Sequence, residues 1–177
     1  MIRGIRSISM MLLAAGTMAL SPVQAATPEE GAAEAAQAWA RAITAHDVDA
    51  QMKLLPATMY TKPGERERNR AQRLHEKELA IVNKQKYLSF DVRAASQTLK
   101  INKFTAVVMP YRSILVVAEG KIQTDSALIA IAEEGSNQWS VFDGTGYGNV
   151  RSLRMLIPGY TTGLNVPQAV SKLITGE

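Results

Sequence analysis

Residues 104–132 read FTAVVMPYRSILVVAEGKIQTDSALIAIA and contain two long apolar runs separated by a short polar turn. The connection Ala118-Glu119-Gly120-Lys121 is typical of such a turn. Because strands joined by so short a turn must be antiparallel neighbours, the runs 104–118 and 122–132 predict two central strands of a sheet. Pro110 has no backbone N–H, so it requires a bulge or an edge position within the first strand.

Further strands flank this pair on both sides. Apolar and polar residues alternate over 88–94, which is the period-two pattern of a half-buried strand. Leu99 and Ile101 extend this strand beyond a bend at 95–97. A turn follows the central pair, and residues 138–143 then close the sheet. We therefore expect an antiparallel meander.

A helix is predicted at the start of this domain, over 28–45. Thr27 can cap it, Pro28 suits the first helical position, and the two acids that follow complement the positive end of the helix dipole. Apolar residues recur at three- and four-residue spacing, with Trp39 as the largest. One stripe of this helix is therefore expected to face the core.

Two more helices are expected before the strands. Asp47 can cap a helix over 48–55 that Pro56 stops. A third helix fits 66–83. Helices followed by antiparallel strands indicate an α+β fold, with N-terminal helices packed on a curved antiparallel sheet, and not the strand-helix alternation of a parallel sheet.

The central strands are apolar on both faces, at 114–118 and 127–132. A small sheet with helices on one side would expose its outer face to water, so a cover is needed. We predict a homodimer through the outer sheet face. The alternative is a monomer whose C-terminal tail folds back across that face. Pro and Gly punctuate the tail, which predicts a short helix at 150–156 followed by an extended segment.

The first 25 residues have the three parts of an export signal. Arg3 and Arg6 form a positive start, 8–20 is apolar, and Val23-Gln24-Ala25 has the small residues that signal peptidase needs. We predict cleavage after Ala25 and a soluble periplasmic protein. A membrane anchor is the alternative, but crossing a bilayer takes about 20 apolar residues and this run is shorter.

Composition narrows the function classes. Hydrophobic residues make up 46% and charged residues 20% of the 177 residues, which is typical of a globular protein. At this length we expect one domain over 26–148 with a tail over 149–177. The formal charge of +4 includes Arg3 and Arg6 of the signal, so nothing predicts nucleic-acid binding. With no Cys, disulfides and thiolate chemistry are excluded. No metal-ligand spacing or cofactor motif is present.

Together these elements resemble the nuclear transport factor two-like superfamily, also known as cystatin-like cone or SnoaL-like proteins. The resemblance covers 29–144. It rests on the helix end His46-Asp47, on Leu54-Leu55 beyond it, and on the closing strand Trp139-Ser140-Val141-Phe142-Asp143-Gly144. The tail, 151–158 above all, is similar to that of exported bacterial members.

This resemblance implies a conical sheet wrapped on helices, often with an apolar pocket, and frequent dimerisation through the sheet. The superfamily includes ketosteroid isomerases, polyketide cyclases, dehydratases and many non-catalytic binders. Because the same fold supports such different activities, the resemblance does not select one of them.

Asp143 is the main candidate for chemistry. A carboxylate at the end of the last strand can abstract a proton beside a carbonyl group, although Asp143-Gly144 is also a common turn dipeptide, which we favour. His46 and Asp47 are adjacent, so they point apart on a helix, and Asp47 is better interpreted as a cap. The predicted ligand-binding residues are Trp39, Tyr60, His75, Tyr87, Tyr111 and Asp143.

A basic cluster lies at the start of the third helix. Its members are Lys62, Arg66, Arg68, Arg70 and Arg73. Acidic residues are interspersed, so the favoured interpretation is a solvated helix with ion pairs three or four residues apart. The alternative is a contact for anionic envelope material or an acidic partner protein.

Two functions of different class remain. The first is a periplasmic binding or interaction module with a small apolar ligand pocket or an envelope-protein partner. The second is a cofactor-free isomerase, cyclase or dehydratase, with Asp143 as base and Tyr60, Tyr87 or Tyr111 as donor to a developing oxyanion. We favour the binding module, because the sequence offers a single carboxylate for catalysis.

Overall fold

The computed structural model describes residues 27–145, 147 and 149–174. The predicted signal peptide and its cleavage site lie outside the described residues. Within them, four helices pack with a six-stranded antiparallel sheet, which confirms the α+β class. The helices are α1 Pro28–Thr44, α2 Val48–Leu54, α3 Glu65–Val82 and α4 Val150–Leu156, and a 3-10 turn covers Ala57–Met59. The strands are β1 Lys86–Val92, β2 Gln97–Ile101, β3 Phe104–Val117, β4 Gly120–Glu133, β5 Ser140–Asp143 and β6 Val170–Ile174.

Capping side chains account for where α1, α2 and α4 begin. Thr27 Oγ1 accepts the Glu30 backbone N–H, and the Glu30 carboxylate accepts that of Thr27, which forms a reciprocal capping box. Asp47 Oδ1 accepts the Ala50 N–H at 3.0 Å, so Asp47 is the cap of α2 as predicted. Asn149 caps α4 in the same way. None of the helices described is long and apolar enough to span a bilayer.

Strands β3 and β4 form the predicted central hairpin. They pair from Phe104 opposite Glu133 to Val117 opposite Gly120. On the other side of β3, both β1 and β2 pair with it, while both β5 and β6 pair with β4. Every one of these pairings is antiparallel.

Pro110 lies inside the central strand β3, in neither a bulge nor an edge strand, and this corrects the prediction. Its carbonyl accepts the backbone N–H of Arg93 at 2.8 Å, and Arg93 belongs to the link between β1 and β2. In a strand the N and O of one residue point to the same side. The missing N–H of Pro110 therefore faces the break between β1 and β2, where the ladder is interrupted.

The sheet has an inner face under α1 and an outer face on the opposite side. Helix α1 packs against β1, β3, β4 and β5. Strand alternation places Val107, Met109 and Tyr111 on the inner face, and Ala106 and Val108 on the outer face. All five side chains are buried, so both faces of β3 are covered at this end.

Helix α4 and the tail after it cover the outer face. The Gln97 side chain donates to the Gly163 carbonyl at 2.6 Å and accepts the Asn165 N–H at 2.8 Å. Ile157 and Tyr160 are 0% and 3% exposed. The tail therefore covers the outer face at this end, as the alternative to a homodimer requires. The side chains of 114–117 stay partly exposed, so the homodimer stays a prediction.

The tail also forms a strand that was not predicted. Its last described segment, Val170–Ile174, is β6 and pairs with β4 from Asp125 to Lys121. Four of the five β6 side chains are exposed, and the pairing partner lies far earlier in the chain. No local burial pattern therefore indicates this strand.

Candidate functional site

A half-open cleft of about 240 Å³ lies between α1, α3 and the inner face of the sheet. It is lined by Trp39, Ile43, Arg73, Tyr87, Phe90, Tyr111, Ser113, Thr124 and Asp143. A second cavity of about 190 Å³ adjoins it and shares Ile43, Arg73 and Tyr87. The fold therefore brings together four of the predicted ligand-binding residues: Trp39, Tyr87, Tyr111 and Asp143.

The Asp143 carboxylate accepts three hydrogen bonds. The Tyr111 hydroxyl donates to Oδ2 at 2.7 Å, while the backbone N–H and the hydroxyl of Thr145 donate to Oδ1 at 2.8 and 2.6 Å. Burial, followed by the neighbouring Asp143 charge and hydrogen bond, holds the pKa of Tyr111 well above its usual value. The Tyr111 phenol therefore keeps its proton and donates a hydrogen bond to Asp143.

Both sequence interpretations of Asp143 describe part of this arrangement. Its bonds to Thr145 close an Asx turn at the end of β5, as the Asp-Gly dipeptide suggests. Its other oxygen meets Tyr111 at the wall of the cleft. Because donors occupy both oxygens, a substrate proton would have to compete with three existing hydrogen bonds.

Aromatic rings form the apolar part of the cleft. Phe90 stacks on Tyr111 with 4.5 Å between ring centroids, and Tyr87 lies 6.2 Å from Phe90. Burial, and then the Asp143 charge, raises the pKa of Tyr87. Trp39 contributes a buried ring from α1.

Phe142 belongs to the same buried core as Trp39 but does not line the cleft. Asp143 faces the cleft, so Phe142, its neighbour in β5, must face the outer side of the sheet. There it pairs across the strands with Ile129 and contacts the Tyr147 ring edge-on at 5.4 Å. The cleft therefore stays open beneath α1.

Arg73 is the charged residue of α3 that reaches this cleft. Its Nε donates to Asn69 Oδ1 and its Nη1 to Gln51 Oε1, both at 2.9 Å. The guanidinium also lies 5.8 Å from the centre of the Trp39 ring, within cation-π range. Neutral side chains therefore orient Arg73, and no described carboxylate lies within 4.0 Å of it.

Two hydroxyl groups in the cleft have no described hydrogen-bond partner. Ser113 is only 6% exposed and lines the inner face of β3. Tyr87 lines both adjoining cavities. Among the described residues, every fully enclosed side-chain oxygen has a hydrogen-bond partner. These two oxygens have no described partner, so they are not fully enclosed. Both hydroxyls are available to a ligand.

Two predicted ligand-binding residues do not line the cleft. Tyr60 follows the 3-10 turn, where its hydroxyl approaches Met52 Sδ at 3.8 Å and burial raises its pKa. The His75 side chain is 68% exposed and lies 4.0 Å from Glu78. His75 is two residues beyond Arg73, which turns it to the far side of the helix.

The basic cluster differs from its favoured interpretation. Arg66, Arg70 and Arg73 share one face of α3, because they are spaced by four and three residues. Each contacts α2 instead of an acid on its own helix, and the partners are the Met52 carbonyl, Asp49 and Gln51. The arginines thus dock α3 onto α2. This orientation depends on tertiary packing, so the sequence pattern alone did not identify Arg73 as a cleft residue.

Other parts of the surface offer weaker candidates. A groove of about 610 Å³ beside the N-terminus of α1 contains none of the predicted residues. Two of its three acids, Glu133 and Glu134, are already paired with Lys103 and Lys100. Across the described ranges, no group of three His, Asp or Glu residues is placed to hold a metal ion.

A comparison of this chain with protein-family models, curated proteins and solved structures finds no match. The function is therefore inferred from the geometry of the cleft.

Proposed function

We propose that the protein is an exported, periplasmic binding module that holds a small ligand with a flat apolar body in the cleft under α1. The observation that carries this proposal is the combination of an aromatic wall with polar groups that can donate further hydrogen bonds. Phe90 and Trp39 supply the apolar surface, while Arg73, Tyr87 and Ser113 supply the polar groups. Binding sites commonly combine an apolar lining with a few placed polar groups.

The size of the cleft limits the ligand. Its volume of about 240 Å³, with an adjoining cavity of about 190 Å³, suits a molecule of one or two rings. Ligand pockets typically measure about 300–1,000 Å³, so this cleft belongs at the small end. Tyr87 and Arg73 line both cavities, so a ligand in one would contact residues of the other.

Catalysis by Asp143 receives less support than binding. A general base must accept the substrate proton on its carboxylate, where three donors already compete for the oxygen lone pairs. The same donors make Asp143 a fixed part of the wall. We therefore favour binding over the isomerase, cyclase or dehydratase alternative.

The fold and assembly belong to the same proposal. Helices that precede an antiparallel sheet, with a cleft between them, support membership of the nuclear transport factor two-like superfamily. Because α4 and the tail cover part of the outer face, the homodimer stays a prediction from the sequence and is not needed for the proposed binding. An envelope-protein partner remains a prediction from the sequence.

The experiment fills the cleft with a larger side chain and measures the affinity for an uncharged probe. Ser113→Leu adds apolar volume inside the cavity, so 2-naphthamide, an uncharged two-ring molecule, should lose at least about tenfold in affinity by calorimetry. Ser89→Leu is the matched control, because Ser89 precedes the cleft residue Phe90 and faces the other side of the sheet. Equal affinities for wild type and Ser113→Leu would refute binding in this cleft.

A further inference from the structure

Arg73 combines a positive charge, partial burial and neutral partners. Gln51 and Asn69 hold the guanidinium through Nη1 and Nε, and the Trp39 ring lies beside it. Removing a charge from water is costly unless an opposite charge or hydrogen bonds compensate it. The remaining N–H groups of Arg73 have no described partner, although the fork can bind a planar anion through two bonds.

Among the charged groups around the cleft, Arg73 is the one that an anion can bind. Asp143 is held by Tyr111 and Thr145 and is not ion-paired with Arg73. In the adjoining cavity, Glu76 accepts a hydrogen bond from Gln72, and its negative charge offsets the positive charge of Lys77. A ligand anion is therefore attracted to the α3 side and repelled from Asp143.

The charge balance also limits the anion. A single guanidinium compensates one negative charge, and the nearby Asp143 charge disfavours a doubly charged group such as a phosphate monoester. A carboxylate carries one charge and matches the planar fork of Arg73. The aromatic wall beside this fork suits a flat ring attached to that carboxylate.

We infer that the ligand of the proposed binding module is a small aromatic carboxylic acid, whose carboxylate binds Arg73 and whose ring packs against Trp39 and Phe90. This inference rests on the proposed function, because it names the ligand class for the same cleft. The hydroxyls of Tyr87 and Ser113 are available to further polar atoms of that ligand.

Two isosteric probes test this assignment in the purified full mature chain. Calorimetry compares 2-naphthoate, which carries a carboxylate, with 2-naphthamide, which does not. The wild-type protein should bind the carboxylate at least about tenfold more tightly, as expected for a charge-assisted pair of hydrogen bonds. Arg73→Gln should remove that preference, because the affinity for the carboxylate falls further than the affinity for the amide. Arg73→Lys keeps the charge and should retain part of the preference.

Arg68→Gln is the matched control, because it removes the same charge from an exposed position of α3. Equal weakening of naphthoate binding by Arg73→Gln and Arg68→Gln would overturn the inference, since long-range charge alone would explain it. If Arg73→Gln folds poorly, the wild-type affinities decide, and equal binding of both probes overturns the inference.

The results also separate the two proposals. Binding of both probes with equal affinity and loss of both in Ser113→Leu would leave the binding module intact and overturn only the carboxylate assignment. Failure of both probes to bind wild-type protein at millimolar concentration would overturn the two proposals together.

Discussion

The carboxylate of Asp143 has two structural tasks, which its two oxygens divide between them. Oδ1 accepts both donors of Thr145 and closes the turn after β5, whereas Oδ2 accepts the Tyr111 hydroxyl at the cleft wall. An Asp-Gly dipeptide predicts only the first of these tasks. Tyr111 lies 32 residues away in sequence, so the second task becomes visible only when β3 and β5 are placed beside β4.

Tyr111→Phe tests the strength of this contact. The substitution keeps the ring stacked on Phe90 but leaves Asp143 Oδ2 without its tyrosine donor. A hydrogen bond to a charged group contributes about 2 kcal/mol, so urea denaturation should show a loss of about that size in the free energy of unfolding. An unchanged midpoint would show that the Tyr111–Asp143 bond does not stabilise the fold.

The same residue predicts a dependence on alkaline pH. The folded protein holds the pKa of Tyr111 above the value of about 10 that applies to the unfolded chain. Its contribution to stability is therefore complete below about pH 10 and is lost as the pH rises further, because only the unfolded chain releases the proton. Tyr111→Phe should show a shallower fall in stability above pH 10. Parallel curves for the two proteins would contradict this.

At the level of elements, local signals predicted the helices better than the sheet edges. Capping residues and prolines lie within a few residues of the helix ends that they determine. The four predicted helices agree with α1 to α4 to within one residue at each end. The orientation of Arg73 and the existence of β6 could not be predicted in this way. Both depend on partners distant in sequence, namely Gln51 of α2 and 121–125 of β4.

The capping box of α1 provides a prediction at this scale. Thr27→Ala removes the oxygen that accepts the Glu30 N–H, so the free energy of unfolding should fall by about 1 kcal/mol. Thr27→Ser keeps a capping hydroxyl and should stay within about 0.5 kcal/mol of wild type. Thermal or urea unfolding measures both variants. Equal stability of Thr27→Ala and wild type would show that this cap does not support α1.

For the whole molecule, the tail decides which face of the sheet is accessible. Tail residues Ile157 and Tyr160 are buried, and Gln97 of β2 holds the segment around Gly163 in place. The sequence showed that both faces of the central strands need a cover, but it could not decide between a second copy and the tail. The cleft lies on the opposite, inner face, so covering the outer face leaves the proposed site accessible.

The combined variant Ile157→Ala with Tyr160→Ala tests this role of the tail. Large-to-small changes of buried residues cost about 2–5 kcal/mol each, so the tail should loosen from the outer face. Sedimentation velocity should show a wild-type monomer at micromolar concentration and concentration-dependent association of the variant, as its apolar face becomes exposed. A stable wild-type dimer would instead support the original homodimer prediction.

Native mass spectrometry of the protein purified from the periplasm tests the central claim, that the mature chain carries a small ligand in its inner cleft. We expect the mass of a chain cleaved after Ala25, together with a small retained molecule that is present in wild type and absent from Ser113→Leu. An empty wild-type protein, or the same retained mass in both proteins, would contradict binding in the cleft.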